Sequence, residues 1–250
     1  MTPPGAAAEA IRVIDGDSLL VAVGSTEAEV RLLGVNAPEG SECFGDEAKD
    51  ALEGMVSSGT LTLVAGSEDT DQYGRLLRYV YVDGLDINRS LLAEGVALVV
   101  QGDHPADADY AAVSDLAAAE GLGMWAPDAC GVEDPPGRVS IVDYVFDPPG
   151  PDADLMNEEL VVVGNAGEGS LEMSGWILRD ESTRHRYMFP NSVEVQPGDA
   201  VVVHTGCGDD TTADLYWCSD EPVWSNGGDT VILQAGDGTV VDRVRYSGDS

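Results

Sequence analysis

A mostly-β chain with helices is predicted: a five-stranded Greek-key barrel of the OB type, with helices, followed by a β-sandwich. Two observations carry the prediction. Through residue 120, alternating apolar runs and helically spaced ones follow the order three strands, helix, two strands, two helices, which is the order of such a barrel. From Arg138 onward helical spacing disappears, and short β-rich runs recur between Gly, Asp and Asn turns, the pattern of a sandwich.

The elements follow in turn. Ala10-Ile11-Arg12-Val13-Ile14 runs into the turn Asp15-Gly16-Asp17, then into Ser18 to Val23. After Gly24-Ser25, Ala28 to Leu33 makes the third strand. Phe44, Ala48, Ala51, Leu52, Met55 and Val56 have helical spacing, so a helix is expected over 44–57, ending before Gly59. Leu61 to Val64 and Leu76 to Val82 read as strands, with Asp83-Gly84 as a hairpin-type turn. Asp86 caps a helix through Leu92 that Gly95 terminates, and an alanine-rich helix covers 106–120.

Asp134-Pro135-Pro136-Gly137 marks a linker, so the expected domains are 1–128 and 138–250, joined by 129–137. In the second, strands are expected at 139–145, 159–163, 176–178, 200–204 and 230–233. The last is joined through Gly236-Asp237-Gly238 to a hairpin partner, Val240 to Val244.

Composition limits the function. The 250 residues carry a net charge of −34, from 46 acidic and 12 basic side chains. The halves 1–128 and 129–250 each hold 23 acidic and 6 basic residues. An acidic interaction tail would concentrate that charge; an even spread points to a whole-surface property, such as solubility in salty surroundings. Repulsion slows encounter with a polyanion at low ionic strength, but at about 1 M salt the Debye length is only ~3 Å and the penalty largely vanishes. No run of 18 apolar residues occurs, so no membrane span is expected. The first residues lack a basic and an apolar leader segment, so no signal peptide is expected within them. His104, His185 and His204 are too scattered for a zinc site, and neither a P-loop nor Gly-x-Ser-x-Gly is present. Trp176 and Trp224 read as core residues of the sandwich.

Three short segments carry chemistry: Asp15-Gly16-Asp17-Ser18, then Arg31-Leu32-Leu33-Gly34-Val35-Asn36-Ala37-Pro38-Glu39, then Asp71-Gln72-Tyr73-Gly74-Arg75. Together they supply oxygen-bearing side chains, a further carboxylate and two guanidinium groups. A divalent-metal phosphodiesterase needs that inventory: hard oxygens for the ion, a carboxylate to handle water, and planar cations for phosphate. Taken singly, each is also an ordinary turn residue or a surface group in an ion pair.

In this order and spacing the three segments resemble the staphylococcal (thermonuclease-like) nuclease family. The resemblance implies a calcium-dependent nuclease acting on DNA and also on RNA, secreted or at the periplasm or cell surface, and monomeric. It implies Ca²⁺ held by the side chains of Asp17 and Asn36 and by the Ala37 carbonyl, Glu39 as the residue that activates or orients water, and Arg31 and Arg75 as phosphate clamps. Tyr73 is the implied nucleotide contact. This chain departs from the family at three places. Asn36 stands where many members have Asp, Gln72 where a lysine is common, and Val99, Val100 and Gln101 where tyrosines follow the Gly95-Val96-Ala97 strand. Those departures keep a second reading open, a weakly active or inactive nuclease-like binding module. An acidic extracellular scaffold is a third.

Asn157 to Asn165, Leu171 to Leu178 and Trp224 to Val231 resemble the lamin-tail domain, which implies an immunoglobulin-like sandwich over about 138–248. The even count of four cysteines, one pair per region, together with the extracellular habit of the nuclease family, implies disulfides Cys43–Cys130 and Cys207–Cys218. Four separate buried thiols are the alternative.

Overall fold

Strand-to-strand register explains how distant segments of the first half come together. The computed structural model describes residues 5–40, 42–57, 59–100, 106–126, 129, 139–151, 155–182 and 184–247. The chain divides into two compact units, Met1–Cys130 and Gly131–Ser250. Apart from Ala129, the expected linker 129–137 lies outside the described residues.

In the first unit, strands β1 (Ala6–Asp15), β2 (Ser18–Val23) and β3 (Thr26–Leu32) form an antiparallel meander. Strands β4 (Val35–Asn36), β5 (Leu61–Thr70), β6 (Leu76–Val82), β7 (Leu85–Asp86) and β8 (Leu98–Val99) follow. Antiparallel β5 joins β1 to β6, and a parallel pairing of β3 with β6 (Val30↔Leu76, Arg31↔Leu77, Leu32↔Arg78) closes five strands into a barrel. Closure leaves no unpaired barrel edge. Two-residue strands β4 and β8 pair outside that ladder, setting Asn36 opposite Leu98.

Helix α1 (Gly45–Val56) buries Gly45, Ala48, Leu52 and Val56, one stripe at three- and four-residue spacing. Helix α2 (Ile87–Ala93) is capped as expected: the Asp86 carboxylate accepts the Arg89 N–H at 3.0 Å, and Gly95 follows at φ 69°. Helix α3 (Asp107–Ala119) packs on α2 through Tyr110, whose hydroxyl donates to the Asp86 carboxylate at 2.9 Å. None of the helices among the described residues is long and apolar enough to cross a membrane.

One buried amide locks the closure. Asn88 is fully buried; its Nδ2 donates to the Leu33 and Arg78 carbonyls at 2.9 and 3.2 Å, and its Oδ1 accepts the Val80 N–H at 3.0 Å. One side chain thus ties α2, β6 and the turn after β3. Asn88→Ala would take the side-chain partner from the Leu33 carbonyl and the Val80 N–H, while the Arg78 carbonyl keeps the Leu33 N–H at 3.0 Å. A loss of about 2–4 kcal/mol is expected in urea unfolding of the first unit.

The second unit holds β9 (Val139–Val145), β10 (Leu160–Asn165), β11 (Leu171–Glu172), β12 (Ile177–Arg179), β13 (Arg186–Met188) and β14 (Glu194–Val195). It continues with β15 (Ala200–His204), β16 (Asp214–Tyr216), β17 (Gly228–Gln234) and β18 (Val240–Ser247). Two four-stranded sheets, β16-β15-β10-β9 and β13-β12-β17-β18, feed one core. Val161, Val163, Val201 and Val203 come from the first, Leu178, Val231 and Leu233 from the second, with Trp176 and Trp224 buried among them. Cys207 and Cys218 are disulfide-bonded, as expected. Cys43 is also in a disulfide, while its expected partner Cys130 lies outside the described residues.

This core carries carboxylates. Glu159 is fully buried and its Oε1 accepts the Val223 and Trp224 N–H groups, both at 2.8 Å. The Thr230 N–H faces two acids at once, Glu181 Oε2 at 2.8 Å and Asp229 Oδ1 at 2.7 Å. Burial raises the Asp229 pKa and the charge of Asp180 raises it further, against hydrogen bonds from Glu181, Ser225 and Thr230 that lower it. A folded-state pKa above the unfolded one makes the contribution of Asp229 fully present below the ordinary carboxylate range and lost as pH rises through the raised value. As pH rises from the ordinary carboxylate range near 4 through the raised value, the urea midpoint of the second unit is therefore expected to fall in the wild type relative to Asp229→Asn. A constant difference between the two proteins across that range would contradict this.

Candidate active site

The turn between β1 and β2 places Asp17. Asp15 organises it, accepting the Asp17 N–H at 3.1 Å and the Ser18 hydroxyl at 2.6 Å through one carboxylate oxygen. Gly16 must be glycine: a Cβ there would lie 2.5 Å from the Ala48 Cβ and 2.6 Å from the Ala37 Cβ. The backbone of this turn is therefore in contact with both α1 and the segment after β4. The β2–β3 register sets Arg31 opposite Ser18, beside Asp17.

Asp17 and the Arg31–Ala37 segment then meet. Asp17 Oδ2 accepts the Ala37 N–H at 2.7 Å and faces Arg31 Nη2 at 3.0 Å. Arg31 Nη2 also donates to Asn36 Oδ1 at 2.9 Å, and Nη1 donates to the Leu32 and Val35 carbonyls at 2.9 and 2.6 Å. Asn36 is buried, and its Nδ2 has no hydrogen-bond partner among the described residues.

Arg75 and Tyr73 sit on the hairpin between β5 and β6. Asp71 builds that hairpin: Oδ1 accepts the Tyr73 and Arg75 N–H groups, both at 2.9 Å, and Oδ2 accepts Arg75 Nε at 2.7 Å. Gly74 takes φ 83°, a conformation that favours glycine. Tyr73 is 75% exposed, and the Arg75 guanidinium lies 5.6 Å from its ring centroid, a cation–π distance.

Glu39 differs from the rest. It is exposed, and its carboxylate has no hydrogen-bond or ion-pair partner among the described residues. Only its backbone is fixed. The Glu39 N–H donates to the Glu42 carboxylate at 2.9 Å, the Glu42 N–H donates to the Glu39 carbonyl at 2.7 Å, and Gly45 packs beneath that carbonyl where no Cβ fits. Asp17, Arg31, Asn36 and Ala37 are thus joined by direct contacts, whereas Arg75 with Tyr73 and Glu39 stand apart from them. Val99 is buried in β8 opposite Val35, and Gln101 lies outside the described residues.

Electrostatics divides the site in the same way. Burial drives the Asp17 pKa up to about 6; the Arg31 charge and the Ala37 N–H lower it, and Asp15 raises it. One guanidinium is therefore not enough to compensate a carboxylate this buried. Against an ordinary value near 3.9, the ionised form costs on the order of 2–3 kcal/mol of stability, developed as pH rises from about 4 to 6. Burial alone would lower the Arg75 pKa, but the hydrogen bond and charge of Asp71, then the charges of Asp17 and Glu29, raise it. Asp71 moves the other way: burial raises it, and the bonds from Arg75 and Tyr73 outweigh that and lower it.

The donor set fits a hard cation. Asp17 offers a carboxylate, Asn36 an amide oxygen and Ala37 a carbonyl, oxygen types that suit calcium or magnesium rather than soft metals. The raised Asp17 pKa shows a buried charge short of positive partners. Among the described residues no group of three or more His, Cys, Asp and Glu could hold a metal ion, so any cation here depends on the neutral oxygens and on water.

Two contributors escaped the sequence reading. Asp71 was visible as an Asp three residues before a glycine in a hairpin, a turn-forming pattern, with Arg75 at i+4; its grip on Arg75 follows from that. Gly16 reads in the sequence only as a turn residue, because its neighbours Ala37 and Ala48 meet it only in the fold.

Comparison with known proteins matches a family to each half of the chain. The family described as staphylococcal nuclease homologue matches residues 29–127, and the lamin tail domain matches 133–248. Protein ParB of Escherichia coli is 31% identical over 127 residues, 47% of this chain and 71% of its own length. Endonuclease YncB of Bacillus subtilis is 41% identical over 95 residues, 35% of this chain and 45% of its own. Thermonuclease of Staphylococcus hyicus is 32% identical over 93 residues, 35% of this chain and 55% of its own. The chain thus spans only about half the length of the latter two.

In the metal-free protein, carbon-13 NMR of the Asp17 carboxyl is expected to titrate with a midpoint near 6. Calcium should move that midpoint down, because a cation stabilises the carboxylate. An ordinary midpoint near 4 would remove the argument for an undercompensated charge.

Proposed function

The first half of this chain belongs to the staphylococcal nuclease homologues and the second carries a lamin tail domain, and from that premise we propose a calcium-dependent nuclease that hydrolyses phosphodiester bonds of DNA and also of RNA. The convergence of Arg31 and the Ala37 N–H on the buried Asp17 carboxylate, with Asn36 Oδ1 on the same Arg31 nitrogen and every contact within 3.0 Å, is the observation that carries the reading.

On this reading Asp17, Asn36 and the Ala37 carbonyl hold the ion. When bound, it polarises a phosphate oxygen and offsets the charge that develops there. Glu39 takes a proton from water or orients it: its carboxylate is exposed to solvent, and its backbone is held by the Glu42 and Gly45 turns. Arg75 reaches the phosphate from the hairpin, with Asp71 setting where its guanidinium starts. A planar guanidinium binds two phosphate oxygens at once, which lysine does not. Tyr73, exposed beside Arg75, contacts the nucleotide. The protein acts as a monomer, outside the cell or at its surface, which its disulfides support. The net charge of −34 suits salty surroundings. The lamin tail domain recruits or stabilises the enzyme.

Release of acid-soluble nucleotides from denatured DNA tests this, with calcium or EDTA, at low salt and at about 1 M. Calcium-dependent turnover that rises with salt is expected, since screening removes the repulsion. Glu39→Gln should lower kcat about a hundredfold or more, and Arg75→Ala about a thousandfold. A folded protein with no turnover in any salt would leave a nucleic-acid binding module instead, a role that Asn36 and the valines at 99 and 100 favour.

A further inference from the structure

Both terminal nitrogens of Arg31 are committed to protein acceptors. Nη1 donates to the Leu32 and Val35 carbonyls, and Nη2 faces Asn36 Oδ1 and Asp17 Oδ2. A guanidinium has five N–H bonds, so four contacts leave one, on Nε. Arg31 in this position cannot grip a phosphate through two parallel hydrogen bonds.

The two edges of the guanidinium are held differently. Nη1 is fixed by backbone carbonyls of β3 and β4, groups that any ligand leaves in place. Nη2 is fixed by two side chains, and those are the side chains assigned to the cation. Docking also has a cost. With Asn36 Oδ1 turned to the guanidinium, the buried Nδ2 is left without an acceptor among the described residues, which is unfavourable.

We propose that Arg31 is the resident cation of the metal-free site, and that a divalent cation taken by Asp17 and Asn36 releases the Nη2 edge toward phosphate. The inference rests on the metal-dependent phosphodiesterase reading and adds an order to it, cation first and arginine clamp second. Arg75 escapes that order, because its partner is Asp71 on another loop. The same contact makes Arg31 a competitor of the cation. If the guanidinium is docked in nine molecules of ten, the apparent metal affinity falls about tenfold.

Calorimetry of calcium binding to the full chain, without nucleic acid, tests the competition. Arg31→Gln should bind calcium roughly tenfold more tightly than wild type. Arg75→Gln, which deletes an equal charge without touching Asp17 or Asn36, should gain several-fold less. In wild-type protein with labelled arginine, calcium should shift the Arg31 Nη resonances and leave the Arg75 Nε–Asp71 signal in place; this arm needs no variant to fold. Equal gains in the two variants, weaker binding by a folded Arg31→Gln, or Arg31 resonances unmoved at calcium saturation would each overturn the proposal. If neither wild type nor Arg31→Gln binds calcium, and DNA hydrolysis is also calcium-independent, the metal reading falls with it. Calcium-dependent hydrolysis with Arg31 unmoved would sink the competition alone.

Discussion

A hydrogen bond between residues twenty apart, from the Ala37 N–H to the Asp17 carboxylate at 2.7 Å, organises the first unit. It joins the β1–β2 turn to the segment after β4, and both need the barrel to be shut before they can meet. Parallel pairing of β3 with β6, locked by Asn88, supplies the closure. Gly16 then allows the backbone contact that brings Ala37 and Ala48 against the turn. The cost of this arrangement is a carboxylate buried deeply enough that Arg31 does not fully compensate it. On the proposed reading, that shortfall is what a bound cation would offset.

The remaining charges sharpen the point. Four of the six cationic residues in the first half are paired with acids: Arg31 with Asp17, Arg75 with Asp71, Arg78 with Asp69 and Arg89 with Asp109. Few cations are left to attract a polyanion at long range, and the overall charge repels it. Steering therefore contributes little, and affinity for nucleic acid falls to short-range contacts at the site. Such contacts survive high salt better than a basic surface would, because screening acts over distance.

Much of the fold was legible in the sequence where one local signal decided the outcome. Asp86 as a cap, Gly95 after α2, the stripe of α1 and the hairpin at Gly236-Asp237-Gly238 each depend on neighbours a few residues away. Strands β11, β13, β14 and β16 were missed, as runs of two or three residues hold too little alternation to register. Their place comes from the strands they pair with: β11 with β14, β13 with β12 and β16 with β15. Closure through Asn88 was hidden for the same reason: an asparagine inside an amphipathic helix reads as a surface residue until the carbonyls of Leu33 and Arg78 surround it. For the candidate site, residue types and spacing gave the chemical inventory, and the family resemblance they carry nominated Asp17, Asn36, Ala37, Glu39, Arg31, Tyr73 and Arg75. The division among them was not legible, because burial separates Asp17 from Glu39 and sequence carries burial only as a tendency.

That division bears on how such a site works. Arg31 sits on the closed barrel, Asp17 in its β1–β2 turn and Asn36 in the adjoining β4, so their backbone positions are set before any ligand arrives. Arg75 and Tyr73 ride a five-residue hairpin held by Asp71, and Glu39 projects into solvent from a turn held only by its backbone. A rigid charged centre faced by two adjustable contacts can accept one phosphate geometry and many nucleotide contexts. Asn36 fits the same logic: a neutral oxygen where a second carboxylate would stand lowers the affinity for cations and holds the Arg31 guanidinium less firmly than a carboxylate would. On the proposed reading, such a site would give up tight metal binding and keep its arginine releasable.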